Sequence, residues 1–296
     1  MGHMRGKPVE AGFGSPLEAA IAERDRGTLG MVRTALTRGD VVLAYQPVLR
    51  AGRGGVAFYE GLIRILDETG RVIPAREFIG AVEDQELGRR IDCVALRLGL
   101  QALHAHPGLR LSVNMSARSV GYPEWMQILR RTIRHRPETV RRLILEITET
   151  SAMMMPELVT VFMAEMRDKG ILFALDDFGA GQTSFRHLRH FSFDIVKIDG
   201  AFTRNVDADA DNQVLYEALV GLARHFDMVT VAEAVETEAE ARWLSAAGVG
   251  CLQGFHFGAP IFDPPWAKRQ TEGPAAGRRR GPAGGGRAQG SGQGPA

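Results

Sequence analysis

A chain of 296 residues, 45% hydrophobic and 24% charged, has ordinary globular composition and room for one large α/β domain or two average ones. Its formal net charge of +1 provides no global field for DNA, RNA or an anionic membrane, so any anion must be held by a local site. With no secretory core region and no apolar run near the roughly 18 residues of a membrane span, the chain reads as cytoplasmic, with no membrane segment.

The opening MGHM reads as a tag remnant, and residues 1–16 as a flexible lead. SPLEAAIAERDRGTLGMVRTALTRGD then predicts one or two helices ahead of the main domain. Short apolar runs follow as VVLAYQPV, VAFYEGLIRI, LRLSVNMS, RLILEITE, ILFALDDF, FDIVKID, MVTVAEAVE and GCLQGFHF. Helical spacing lies between most of them. EFIGAVEDQELGRRIDCVALRLGLQAL is long enough for two helices or one broken one, PELVTVFMAEMRDKG starts on Pro156 and ends at Gly170, and ETEAEARWLSAAG ends at Gly248. Strands alternating with helices require a parallel sheet, and about eight of them fit a closed (β/α)8 barrel of the TIM type. Only LRAGRGG separates the first two strands, a hairpin length, so the first strand is expected to run antiparallel. The expected domain is 17–271, with the helical lead covering the barrel bottom or carrying a dimer contact. Residues 272–296, rich in Gly, Pro and Arg and lacking large apolar side chains, read as a disordered tail. Cys93 and Cys251 sit in apolar or amphipathic stretches and read as reduced core thiols.

Each strand after the first carries a polar residue within it or near its C-terminal end: Glu60, Asn114, Glu146, Asp176 with Asp177, Lys197, Glu233 and Gln253. Taken singly, each has an ordinary explanation: Asn114 as a cap, Lys197 as an ion-pair partner, Glu236 in a first helical turn. Together they point to one barrel mouth, where strand C-termini build active sites. Crowded carboxylates repel unless a cation lies among them, and oxygen ligands without a Cys or His cluster select Mg²⁺ or Mn²⁺ over Zn²⁺. The histidines outside the tag remnant read as ordinary polar or packing residues. Adjacent Asp176 and Asp177 can serve two ions, which suits in-line attack on a phosphodiester, with Lys197 and Arg64 supplying charge for phosphate oxygens.

The ordered motifs YQPV, EGLIR, SVNMS, EITET, ALDDFGAG, KID, VAEAVET and QGFHFGAP, from about Thr28 to Trp266, resemble the EAL domain, the bacterial hydrolase of cyclic dimeric GMP. The resemblance implies that Glu60, Asn114, Glu146 and Asp176 bind a first metal and that Asp177 helps hold a second. It implies Glu233 as general base or second-metal ligand, with Lys197 beside the attacking water. Gln46, Arg64, Gln253 and, less directly, Glu236 are implied ligand contacts, and Glu149 is implied to steady the loop after Asp177. The implied reaction opens the cyclic dinucleotide to linear pGpG, usually in a homodimer. The alternative is an EAL-like module that binds the dinucleotide or a partner protein without cutting it.

Several positions depart from the family pattern. The signature reads EGL instead of EAL, Ala180 stands where Thr or Ser is usual, and Gln182 where an aromatic is usual. Ala234 replaces a Gly, and Gly200 replaces a common Arg. None of these removes a proposed ligand. Gly61 is expected to point away from the mouth, so the change should cost no more than about 1 kcal/mol.

Overall fold

The protein is described by a computed structural model covering residues 15–180 and 191–268. The tag remnant, the tail and Gln182 lie outside the described residues.

Nine strands form one sheet: β1 (Val41–Arg50), β2 (Val56–Leu66), β3 (Val72–Pro74), β4 (Leu111–Asn114), β5 (Leu143–Thr148), β6 (Leu172–Phe178), β7 (Ile195–Ile198), β8 (Val229–Ala232) and β9 (Cys251–Leu252). Their order is β1-β9-β8-β7-β6-β5-β4-β2-β3, and β1 also pairs with β2, so eight strands close a ring and β3 hangs outside it on β2. The eight ring strands match the eight apolar runs of the sequence. At three and two residues, β3 and β9 are too short to show a period, and β3 has no sequence signal of its own.

β1 is antiparallel to both neighbours, with Gln46 opposite Glu60 on β2 and Leu49 opposite Leu252 on β9. From β2 through β4 to β9 the pairing is parallel, as helical crossovers demand. The seven parallel strands therefore end at one mouth.

The long segment after β3 divides into helices Ile79–Val82 and Glu86–Ala105. The N-terminal segment is one helix, Pro16–Arg38, capped by Ser15 and ended by Gly39 at φ 79°, a left-handed position suited to glycine. Val32 and Ala35 of that helix bury against Val41 at the start of β1, Ile65 at the end of β2, and Ile73, Phe78 and Ile91. Since Ile65 lies at the C-terminal end of a parallel strand, the helix packs at the mouth end of the barrel and not across its bottom. Both cysteines are buried and free, and burial pushes the Cys93 thiol up to about 12.

The barrel interior is layered. Val48, Phe58, Ile144, Ala174, Ile195, Val231 and Cys251 form a buried apolar plug. Strand side chains repeat every second residue on one face, so the next inward positions toward the mouth are Gln46, Glu60, Glu146, Asp176, Lys197, Glu233 and Gln253. One charged layer thus stands on one apolar layer.

Candidate active site

At the centre of the polar layer Lys197, 1% exposed, holds four carboxylates. Its Nζ lies 3.3 Å from Glu60 Oε2, 2.9 Å from Glu146 Oε2, 2.9 Å from Asp176 Oδ1 and 2.8 Å from Glu233 Oε1. Burial alone would push the lysine pKa down, but the four anions outweigh it and hold the ammonium well above its ordinary range.

Around this hub the amides are oriented by donation. Asn114 Nδ2 donates to Glu60 Oε1 at 2.9 Å, which leaves Asn114 Oδ1 as the acceptor. Gln253 Nε2 donates to Glu60 Oε2 at 2.6 Å and to Gln46 Oε1 at 3.2 Å. Gln46 Nε2 donates in turn to Gly258 O at 3.1 Å. Burial raises the Glu60 pKa, yet Lys197 and the Gln253 and Asn114 donors more than offset it and keep the carboxyl below its ordinary value. Glu146 is the opposite case. Burial and the neighbouring Glu60 charge hold it well above the ordinary range against the pull of Lys197.

Adjacent Asp176 and Asp177 reach the same site through a local irregularity. The β6–β7 register shifts between Leu175 and Phe178, and Asp177 adopts φ 55°. A regular strand would send the two side chains to opposite faces. Here one oxygen each from Asp176, Asp177 and Glu233 lie within 4.8 Å of one another, as do oxygens of Glu60, Glu146 and Asp176. The two groups share Asp176. Burial and the Asp176 charge raise the Asp177 carboxyl to about 6, and burial followed by the charges of Asp176 and Glu60 raises Glu233 to about 8 despite Lys197. Glu149 Oε2 accepts from Gly179 N at 3.3 Å, tying the start of the helix Glu149–Met154, which follows β5, to the loop after Asp177. A Cβ on Gly179 (φ 96°) would come within 2.6 Å of the Phe202 ring, so glycine is required there.

This arrangement fits a divalent cation on its chemistry. All its acidic ligands are oxygens, Glu146 Oε1 is buried with no hydrogen-bond partner among the described residues, and burial together with mutual repulsion raises the Glu146, Asp177 and Glu233 carboxyls, a cost that a cation would relieve.

A cavity of about 500 Å³ opens over this layer, with Gln46, Glu60, Asp176, Lys197, Glu233 and Gln253 on its floor and Glu236 and Phe255 among its walls. Arg64 lies on the Glu60 face of β2 but donates to Ile63 O at 2.8 Å and is not among the lining residues. Gly61 packs away from the cavity, where a Cβ would stand 3.2 Å from Ser112 O and 3.4 Å from Leu43 Cδ1, tight but not closed.

Residues 30–260 match the profile of the EAL domain. The chain belongs to the EAL family. Over 251 residues this EAL chain is 31% identical to the bifunctional diguanylate cyclase/cyclic di-GMP phosphodiesterase MucR of Pseudomonas aeruginosa, an alignment covering 82% of the chain and 36% of MucR. It is 28% identical over 235 residues to the probable cyclic di-GMP phosphodiesterase PdeN of Escherichia coli, covering 78% of the chain and 45% of PdeN. The EAL chain thus spans under half the length of these curated relatives. Among solved structures, the MucR phosphodiesterase in complex with c-di-GMP superposes with a TM-score of 0.69 at 30% identity, covering 79% of this chain and 97% of that one. The FimX EAL domain of Pseudomonas aeruginosa bound to c-di-GMP shares the fold, with a TM-score of 0.69 at 24% identity, covering 79% and 96%.

Two supporting residues carried no signal in the ligand pattern. Asp92, on the Glu86–Ala105 helix, accepts from Ser116 N at 2.9 Å and Ser119 Oγ at 2.6 Å, fixing the turn that follows Asn114. Glu240 accepts from Asn205 N at 3.0 Å on one oxygen and from Glu236 N and Thr237 N at 2.9 and 3.0 Å on the other. It joins the loops after β7 and β8. Its capping box with Thr237, a T-x-x-E spacing, was visible in the sequence, although its reach to Asn205 was not.

Proposed function

We propose that this chain is a metal-dependent phosphodiesterase that opens cyclic di-GMP to linear pGpG. The observation that carries the reading is the convergence of Glu60, Asn114, Glu146, Asp176, Asp177 and Glu233 on two adjoining oxygen-lined sites that share Asp176. Glu60, Asn114, Glu146 and Asp176 would hold one Mg²⁺ or Mn²⁺, and Asp176, Asp177 and Glu233 a second. Such ions supply water activation and stabilise charge on the phosphoryl oxygens.

The chain's own groups do the rest. Lys197, fixed as an ammonium, offers positive charge where a phosphoryl oxygen gains negative charge. Glu233, at the edge of the polar layer and open to the cavity, would accept the proton of an attacking water in its ionised form. Gln253 and Gln46, locked to each other and to Glu60, orient the ligand on the floor. The apolar layer beneath keeps these charges in a low-dielectric setting, where they act more strongly.

The test is incubation of purified protein with cyclic di-GMP and Mn²⁺, followed by product chromatography. Conversion to pGpG by the wild type and its loss in Glu60→Ala are expected. Tight binding without turnover at any divalent-ion concentration would instead establish a nucleotide-binding module.

A further inference from the structure

The cavity has an uneven balance of charge for an anionic ligand. Five carboxylates line it, those of Glu60, Asp176, Asp199, Glu233 and Glu236, against two cations, Lys197 and Arg204. Lys197 is shared among four carboxylates at the floor, so its charge is divided before any phosphate meets it. Arg204 is exposed at the wall, and its guanidinium has no ion pair or hydrogen bond among the described residues.

Its backbone, by contrast, is firmly held. Arg204 N donates to Gly200 O at 3.1 Å, and Asn212 Nδ2 donates to Arg204 O at 3.3 Å. The next residue, Asn205, donates to buried Glu240, whose other oxygen holds the backbone of Glu236 and Thr237. The base of the Arg204 side chain is thereby tied to the loop that carries Glu236 on the same cavity. Gly200 and Ala201, which precede it on that wall, present no bulk.

We propose that Arg204 is a ligand-binding residue of this chain, donating from the cavity wall to a phosphate of the bound dinucleotide. The inference rests on the function proposed above and extends it to a position outside the metal-ligand motifs. A guanidinium presents a planar fork matched to two phosphate oxygens, whereas a lysine is a point charge. Because Arg204 is solvent-exposed, its contribution is screened by salt.

Equilibrium binding of cyclic di-GMP is measured by calorimetry in Ca²⁺ buffer for the wild type, Arg204→Ala, Arg204→Gln and Arg204→Lys, at about 0.05 and 0.3 M salt. Ca²⁺ is chosen as a hard cation that accepts the same oxygen ligands. The expected result is a Kd raised roughly five- to ten-fold in the Ala and Gln variants, an intermediate value for Lys, and a shallower salt dependence without the charge. Thermal melts of the variants, expected to match the wild type, exclude unfolding. Wild-type affinity and salt slope in the Ala and Gln variants would overturn the role of Arg204 and leave the proposed function standing. A wild type that neither binds nor hydrolyses the dinucleotide would overturn both.

Discussion

At the scale of single residues, Ala234 and Gly200 explain each other. Ala234 follows Glu233 with φ 53°, a left-handed conformation that costs an L side chain about 1–2 kcal/mol. A Cβ on Gly200 would stand 2.6 Å from the Ala234 Cβ. The two positions are therefore sterically coupled, the methyl at 234 occupying the space that a side chain at 200 would need. A double-mutant cycle reads this directly. Gly200→Ala is expected to lose about 1–3 kcal/mol of stability in chemical denaturation, Ala234→Gly to be neutral or to gain about 1 kcal/mol, and the double variant to recover most of the loss. Strictly additive values would mean that the two residues do not meet. The same logic explains Gly254 in the QG motif, where a Cβ would overlap the Val235 backbone, so Gln253 is held by a glycine that lets two loops cross.

At the scale of elements, the mouth is supported by helices that do not touch the cavity. Asp92 reaches from the Glu86–Ala105 helix to the turn after Asn114, and its carboxyl is raised to about 7 by burial, against hydrogen bonds from Ser119 and Ser116 and the charge of Arg89. Its ordinary value of 3.8 applies in the unfolded chain. The folded state then binds the proton more tightly, so this group contributes stability that is full below about 4 and is lost as pH rises to about 7. Asp92→Asn keeps an oxygen acceptor for Ser116 and Ser119 and removes the titration. Denaturation midpoints measured across that range should therefore slope less steeply in the variant than in the wild type. Parallel slopes would show that Asp92 is ionised throughout. Glu240 has the opposite balance: burial raises it, but the backbone donors of Glu236, Asn205 and Thr237 outweigh burial and lower its pKa.

At the scale of the molecule, much of the site was legible because it breaks a pattern. A carboxylate in an apolar strand such as VAFYEGLIRI has few destinations, and polar breaks in seven of the eight apolar runs, four of them carboxylates, indicate one barrel end. The antiparallel first strand followed from loop length alone. Asp92 and the reach of Glu240 to Asn205 stayed hidden because an acidic residue in an amphipathic helix looks like any solvated face until its partner loop is known. The side taken by the N-terminal helix was equally hidden, since apolar Val32 and Ala35 say that a face is buried and not against what.

The layered interior makes one further demand on the whole domain. Four carboxylates around one buried ammonium leave excess negative charge above an apolar plug, which folding tolerates here by raising the Glu146 and Glu233 pKa values toward the protonated form. A divalent ion that binds only the folded state adds stability in proportion to the logarithm of its concentration, about 2.7 kcal/mol at a hundred times its Kd. For a domain of this size that corresponds to roughly 5–10 °C in the melting midpoint. Mn²⁺ or Mg²⁺ is therefore expected to raise the midpoint over an EDTA control, without any nucleotide present. Asp176→Asn, which weakens both oxygen groups at once, should lose more of this shift than Asp177→Asn, which touches one. Equal shifts in the two variants would mean that Asp176 is not shared, and an unchanged wild-type midpoint would mean that Lys197 alone balances the site.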